Sequence, residues 1–110
     1  MAKRRDKTSI KIEKFINILK DNIEVEKIIL FGSFVRGKQK RWSDIDLAVI
    51  SDNFKRMTFH KRLVFLGMLA WQAKAVEIEA LGYTKDEYRN ATKLDFLGEI
   101  KRTGKVIYSK

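Results

Sequence analysis

The sequence contains no cysteine, no proline and only one histidine. Without cysteine there is neither a disulfide framework nor a thiolate metal site. One histidine argues against histidine-based zinc chemistry. No apolar run approaches the roughly 20 residues of a membrane span. The basic start MAKRRDK is not followed by the apolar stretch of a secretory signal, so the cytoplasm is the expected compartment and no membrane partner is expected. Acidic residues are also scarce: 14 Asp and Glu stand against 24 Lys and Arg, a formal charge of +10. Such a surface suits a polyanion, either nucleic acid or a nucleoside triphosphate. It equally suits plain solvation.

What is present is a globular balance, 45% hydrophobic and 35% charged over 110 residues. That length predicts a single domain spanning residues 1–110, with residues 1–7 as a loose basic tail. Ile12, Phe15, Ile16 and Leu19 follow helical spacing and predict a helix from about Thr8 to Asp21. VEKIILFGS reads as a buried strand stopped by Gly32. SDIDLAVIS is a second strand, TFHKRLVFLGMLAWQAK a helix, and AVEIEALGY a third strand with Val76, Ile78 and Ala80 alternating against Glu77, Glu79 and Leu81. Thr84 and Glu87 have capping-box spacing and open a short helix. A further helix over Thr92–Arg102, ended by Gly104, and a terminal strand KVIYS complete the order. The fold class is α/β. A small mixed sheet is flanked by helices, its first two strands antiparallel because no full helix separates them.

The chemistry is concentrated in FGSFVRGKQKRWSDIDLAVI. Side chains two apart on a strand share a face, so Asp44 and Asp46 point the same way. Two carboxylates facing together repel, and a divalent cation offsets this best. For a bare D-x-D the plainer reading is a solvated strand edge or pairing with Lys and Arg. The neighbours shift that weighing. Gly32-Ser33 ends the preceding strand, where glycine permits close phosphate approach and the hydroxyl and following N–H groups donate. Arg36, Lys38, Lys40 and Arg41 add positive charge, with solvation the plain reading of the last three. A third carboxylate is wanted, and Glu77 and Glu79 share a face on the third strand. Solvent exposure is the preferred reading for Glu77.

The Gly-Ser turn, the D-x-D, the VRG after the Gly-Ser and the EIEALGYTKDEY segment together resemble the minimal nucleotidyltransferases of the DNA polymerase beta superfamily, small proteins often paired with a HEPN-domain toxin. The resemblance covers most of the chain and implies the polymerase beta catalytic-domain fold. It implies that Gly32, Ser33 and Arg36 hold the triphosphate. Asp44, Asp46 and Glu79 then bind metal and form the catalytic set. The implied cofactor is Mg²⁺, as one or two ions, with Mn²⁺ as a substitute. The implied reaction moves a nucleoside monophosphate from a nucleoside triphosphate, ATP foremost, to a hydroxyl on a HEPN-type toxin, the chain being the antitoxin. Glu79 departs from the aspartate common at its position. The extra methylene moves the carboxylate by about one bond, and misplacement of order 1 Å can cost roughly a hundredfold in rate.

Other residues have two readings each. His60 is expected at the surface or partly packed. Trp42 can stack on a nucleobase or pack against Lys40 or Arg41. The helix over residues 58–74 carries more apolar side chains than one face can bury. It is either core or a docking patch for a partner helix or a second copy, giving a homodimer. Two rival functions remain: an antitoxin that neutralises by contact alone, and an RNA-binding module whose carboxylates are structural.

Overall fold

Strand pairing decides where the functional groups meet. The computed structural model describes residues 7–37 and 44–110. Along these run α1 (Lys7–Asn22), β1 (Lys27–Phe31), β2 (Ile45–Ile50), α2 (Phe59–Gln72), β3 (Ile78–Tyr83), α3 (Lys85–Asn90), α4 (Phe96–Thr103) and β4 (Lys105–Ser109). A single 3₁₀ turn, Gly32–Phe34, follows β1 directly. Lys7 already belongs to α1, one residue inside the expected tail. Residues 1–6 of that tail lie outside the described residues, as do Lys38, Lys40, Arg41 and Trp42.

The sheet order is β3-β2-β1-β4. β1 is antiparallel to β2 and to β4, and β2 is parallel to β3. The mixed sheet therefore forms as expected. β2 and β3 can run parallel because α2 supplies the crossover between them.

One face of the sheet is thickly covered. Phe15 and Leu19 of α1 and Leu66, Leu69 and Ala70 of α2 pack on Ile45, Leu47, Val49, Ile78 and Ala80. The other face is covered only in part, where Leu97 and Ile100 of α4 pack on Ile29 and Ala48. Asp46 and Glu79 lie on this second face, outside the apolar cluster that α4 covers. The alternation of strand side chains puts Ile45, Leu47 and Val49 of β2 in the thick layer and leaves Asp46 on the thin side with Ala48.

Two details differ from expectation. β3 begins at Ile78, not at Ala75, and Val76 is 68% exposed. Gly104 ends α4 as expected, with φ −76° and an extended backbone. Close packing makes it glycine: a Cβ there would lie 2.5 Å from Ile29 Cγ2. In α2, Phe59 and Leu63 are exposed with Val64, Met68 and Trp71, while Arg62 is buried. The guanidinium is satisfied inside the fold. Its Nε donates to the Met57 carbonyl (3.1 Å), and its Nη1 donates to the Gly82 carbonyl (3.1 Å) and the Glu87 carboxylate (2.7 Å). Glu87 also closes the expected capping box with Thr84, so one carboxylate ties α2, β3 and α3 together. Among the described residues no helix is long and apolar enough to cross a membrane.

Candidate active site

The ends of β1, β2 and β3 bring the predicted residues to one place. Phe31, the last residue of β1, pairs with Asp46 of β2, and Asp46 pairs with Glu79 of β3. Partners directly across a ladder point to the same face. Asp46 and Glu79 therefore stand side by side, and Asp44 precedes β2 by one residue. Gly32 and Ser33 follow Phe31 immediately, and the chain turns there with Gly32 at φ +78°. The backbone passes so close to the aspartate that a Cβ on Gly32 would overlap Asp46 Oδ2 and sit 3.2 Å from Asp46 Cγ. Glycine is needed at this position twice over, for its conformation and for the space.

The turn is held by its own backbone, Val35 and Arg36 N–H both donating to the Gly32 carbonyl at 3.2 Å. Ser33 is half-buried, and its hydroxyl has no partner among the described residues. Arg36 is exposed and lies near enough to Asp46 to favour its charged form.

The electrostatics are those of crowded anions. Burial, then the charge of Asp44, pushes the Asp46 carboxyl above its ordinary value, against a smaller opposing pull from Arg36. Glu79 is raised as well, first by burial, then by the charge of Asp44 and a side-chain hydrogen bond with it, then by Asp46. Asp46 and Glu79 are each costlier to charge because neighbouring carboxylates are there. These are hard oxygen donors, opposed among the described residues by Arg36, and that donor chemistry suits a magnesium-like dication. Among the described residues no group of three or more Asp, Glu, His or Cys is placed to hold a metal ion by itself, so a cation here would need phosphate oxygens to complete its coordination.

One expectation is resolved differently: Glu77 lies outside β3 and does not join the carboxylates, and in place of plain solvent exposure it pairs with Lys11 of α1. His60 is exposed, as expected. Sequence reasoning missed the apolar wall beside the site. Phe31 and Phe96 meet edge to face with ring centroids 5.8 Å apart. With Leu63, Gly67, Leu81 and the carboxylates Asp46 and Glu79 they border a groove of about 420 Å³. The apolar spacing of LDFLGEI marked a helix, but nothing in it marked Phe96 as a neighbour of Phe31.

Comparison with known proteins bears on this arrangement. The family model for polymerase beta nucleotidyltransferases matches residues 13–110. A candidate protein adenylyltransferase of Methanocaldococcus jannaschii is 33% identical over 79 residues, 72% of this chain and 76% of that protein. Among solved structures, a toxin–antitoxin complex with AMP-PNP superposes with a TM-score of 0.64 at 27% identity, over 89% of this chain and 73% of that one. A complex of the tri-AMPylated HEPN toxin of Shewanella oneidensis with its MNT antitoxin gives 0.59 at 22% identity, over 92% and 71%, a likeness of fold alone. The chain belongs to the polymerase beta nucleotidyltransferase family, on its minimal nucleotidyltransferase branch.

Proposed function

We propose that this nucleotidyltransferase moves AMP from ATP to a hydroxyl on a HEPN-type toxin, and so acts as the antitoxin of a two-protein module. The single observation that carries the reading is the register Phe31–Asp46–Glu79, which sets the Gly32-Ser33 turn against a carboxylate trio. Support for the donor comes from the adenylyltransferase name of the archaeal relative and the AMP-PNP in the related complex. Support for a toxin as the acceptor comes from the related toxin–antitoxin complex.

Each residue has a part. Gly32 lets the triphosphate approach the backbone, and the Ser33 hydroxyl and the N–H groups of the turn donate to it. Arg36 adds charge to the phosphate side. Asp44, Asp46 and Glu79 hold Mg²⁺, as one or two ions, with Mn²⁺ as substitute. When bound, the metal neutralises the triphosphate and stabilises the departing pyrophosphate. Glu79, with its affinity for protons raised by its neighbours, accepts the proton of the acceptor hydroxyl. The acceptor oxygen forms a bond to the α-phosphorus, and the bond from that phosphorus to the pyrophosphate oxygen breaks.

The test is incubation of the folded protein with ATP labelled at the α-phosphate, Mg²⁺ and a HEPN-type partner. Label on the partner, lost in Asp44→Asn and Asp46→Asn, is the expected result. A folded protein that transfers no label with any nucleotide or metal overturns it. A second reading, neutralisation by contact alone, is favoured by the exposed Val64, Met68 and Trp71 of α2. It predicts tight complexes that survive Asp44→Asn and fail with Trp71→Ser. The same face is where a homodimer would form, seen as a concentration-dependent mass. RNA binding is the remaining alternative and predicts salt-sensitive affinity without divalent metal.

A further inference from the structure

Among the described residues β3 is an edge strand, with β2 on one side and no strand on the other. The direction of its backbone groups follows from two hydrogen bonds. Ile45 N–H donates to the Glu77 carbonyl at 2.9 Å, and Ser51 N–H donates to the Tyr83 carbonyl at 2.8 Å. In a parallel ladder this parity turns Glu79, Leu81 and Tyr83 toward β2. Ile78, Ala80 and Gly82 therefore turn their N–H and C=O groups outward.

Both ends of this outward row are closed within the chain. The Ile78 N–H donates to the Ala75 carbonyl at 3.0 Å, and the Gly82 carbonyl accepts from Arg62 at 3.1 Å. Between them, the Ile78 carbonyl, both Ala80 groups and the Gly82 N–H find no partner among the described residues. Ala80 is only 7% exposed. Backbone groups on so buried a residue are normally satisfied, by protein or by ordered water.

The groove beside the active site runs along the same edge. Its lining includes four successive residues, Ile78–Leu81. Alternate side chains of a strand point to opposite faces, so successive residues share one groove only when it follows the strand's edge. Among the described residues its charged lining consists of Asp46 and Glu79. A peptide backbone laid there meets the complementary donors and acceptors it needs.

We infer that the acceptor is presented as an extended peptide segment that adds to the free edge of β3, pairing with Ala80; this rests on the transferase reading above. The open row from Ile78 to Gly82 spans about 13 Å at the usual strand rise. The closed ends limit the register. The segment's residue beside Glu79 shares its face, which places a hydroxyl side chain at the carboxylates. The residue opposite Ala80 turns toward Leu63 and Gly67, where a Cβ on Gly67 would meet nothing within 4 Å.

The test uses the full chain with pools of capped heptapeptides, each with Tyr, Ser or Thr fixed at the centre, and a 20-nucleotide RNA as rival probe. Amide hydrogen exchange reads binding, and label transfer from ATP reads chemistry. The expected result is slowed exchange at the Ala80 and Gly82 amides with a peptide pool, lost when that peptide's backbone is N-methylated. Gly67→Trp fills the groove from an exposed helix position without touching the core. It raises the acceptor KM about tenfold or more, comparable to losing one or two net hydrogen bonds, with ATP affinity and Tm retained. Label transfer to a peptide with no effect of Gly67→Trp or N-methylation overturns the edge proposal while leaving the transferase reading intact. No ATP binding and no transfer to any probe overturns both. Protection of Ala80 by RNA, or by a second copy as concentration rises, assigns the edge to another occupant and overturns the proposal.

Discussion

Gly32→Ala is the perturbation whose consequences the structure specifies most closely, and Gly37→Ala is its control. Both glycines have positive φ, +78° and +70°. Alanine in this region costs about 1–2 kcal/mol, which lowers Tm by roughly 4–8 °C per kcal/mol in a domain of about this size. Both variants share that loss. Only Gly32 has a neighbour to disturb: its added Cβ would overlap Asp46 Oδ2, whereas a Cβ on Gly37 meets nothing within 4 Å. The flexible partner must yield, so the Asp46 carboxylate moves by about 1 Å to reach ordinary contact, and displacement of that order costs roughly a hundredfold in rate. The assay is kcat for label transfer from ATP beside thermal melting of both variants. The account predicts similar Tm losses and a kcat loss confined to Gly32→Ala. Equal kcat in the two variants would refute the claim that the turn and the aspartate share one site.

Other perturbations give distinct signatures. Because the folded-state pKa values of Asp46 and Glu79 are raised, these two groups hold more protons folded than unfolded, and their contribution to the stability of the metal-free protein falls as pH rises through the raised values. The lowered carboxyls of Glu24, Asp52 and Glu87 act in the opposite sense, so the test is the difference between wild type and Asp46→Asn, with Asp46→Asn gaining Tm relative to wild type as pH rises to 7. Mg²⁺ with ATP should raise the Tm of the wild type and leave that of Asp46→Asn unchanged. Glu79→Gln should reduce kcat with little change in ATP affinity, and Glu79→Asp, which shortens the side chain to the form common in the family, should retain or raise it. Arg62→Met removes the partner of the Gly82 carbonyl and of Glu87. It should cost about 2–3 kcal/mol in denaturant unfolding.

The parts of this protein legible in its sequence are those fixed by local periodicity. The helix through Phe15 and Leu19, the strand that alternates Ile45 and Leu47 against Asp46, and the Thr84–Glu87 capping box each declare themselves within a few residues. The grouping of Asp44, Asp46 and Glu79 was legible because a D-x-D spacing and a family pattern both point to it. What depends on distant pairing was not. Glu77 shares the spacing of Glu79 but meets Lys11, because the strand starts one residue after it. Arg62 reads as one more surface cation in a helix, yet a carbonyl and a carboxylate from later elements draw it inside. Phe59 and Leu63 fit an apolar stripe that the sheet is too small to cover. The Phe31–Phe96 contact joins residues from two ends of the chain, and no short window can reveal it.

The most direct measurement is paramagnetic broadening of amide resonances by Mn²⁺ in the presence of a non-hydrolysable ATP analogue. The account predicts broadening centred on Gly32, Ser33, Asp44, Asp46 and Glu79, and its loss in Asp46→Asn. Broadening centred elsewhere, such as the acidic surface around Glu24 and Asp52, or unchanged in Asp46→Asn, would contradict it.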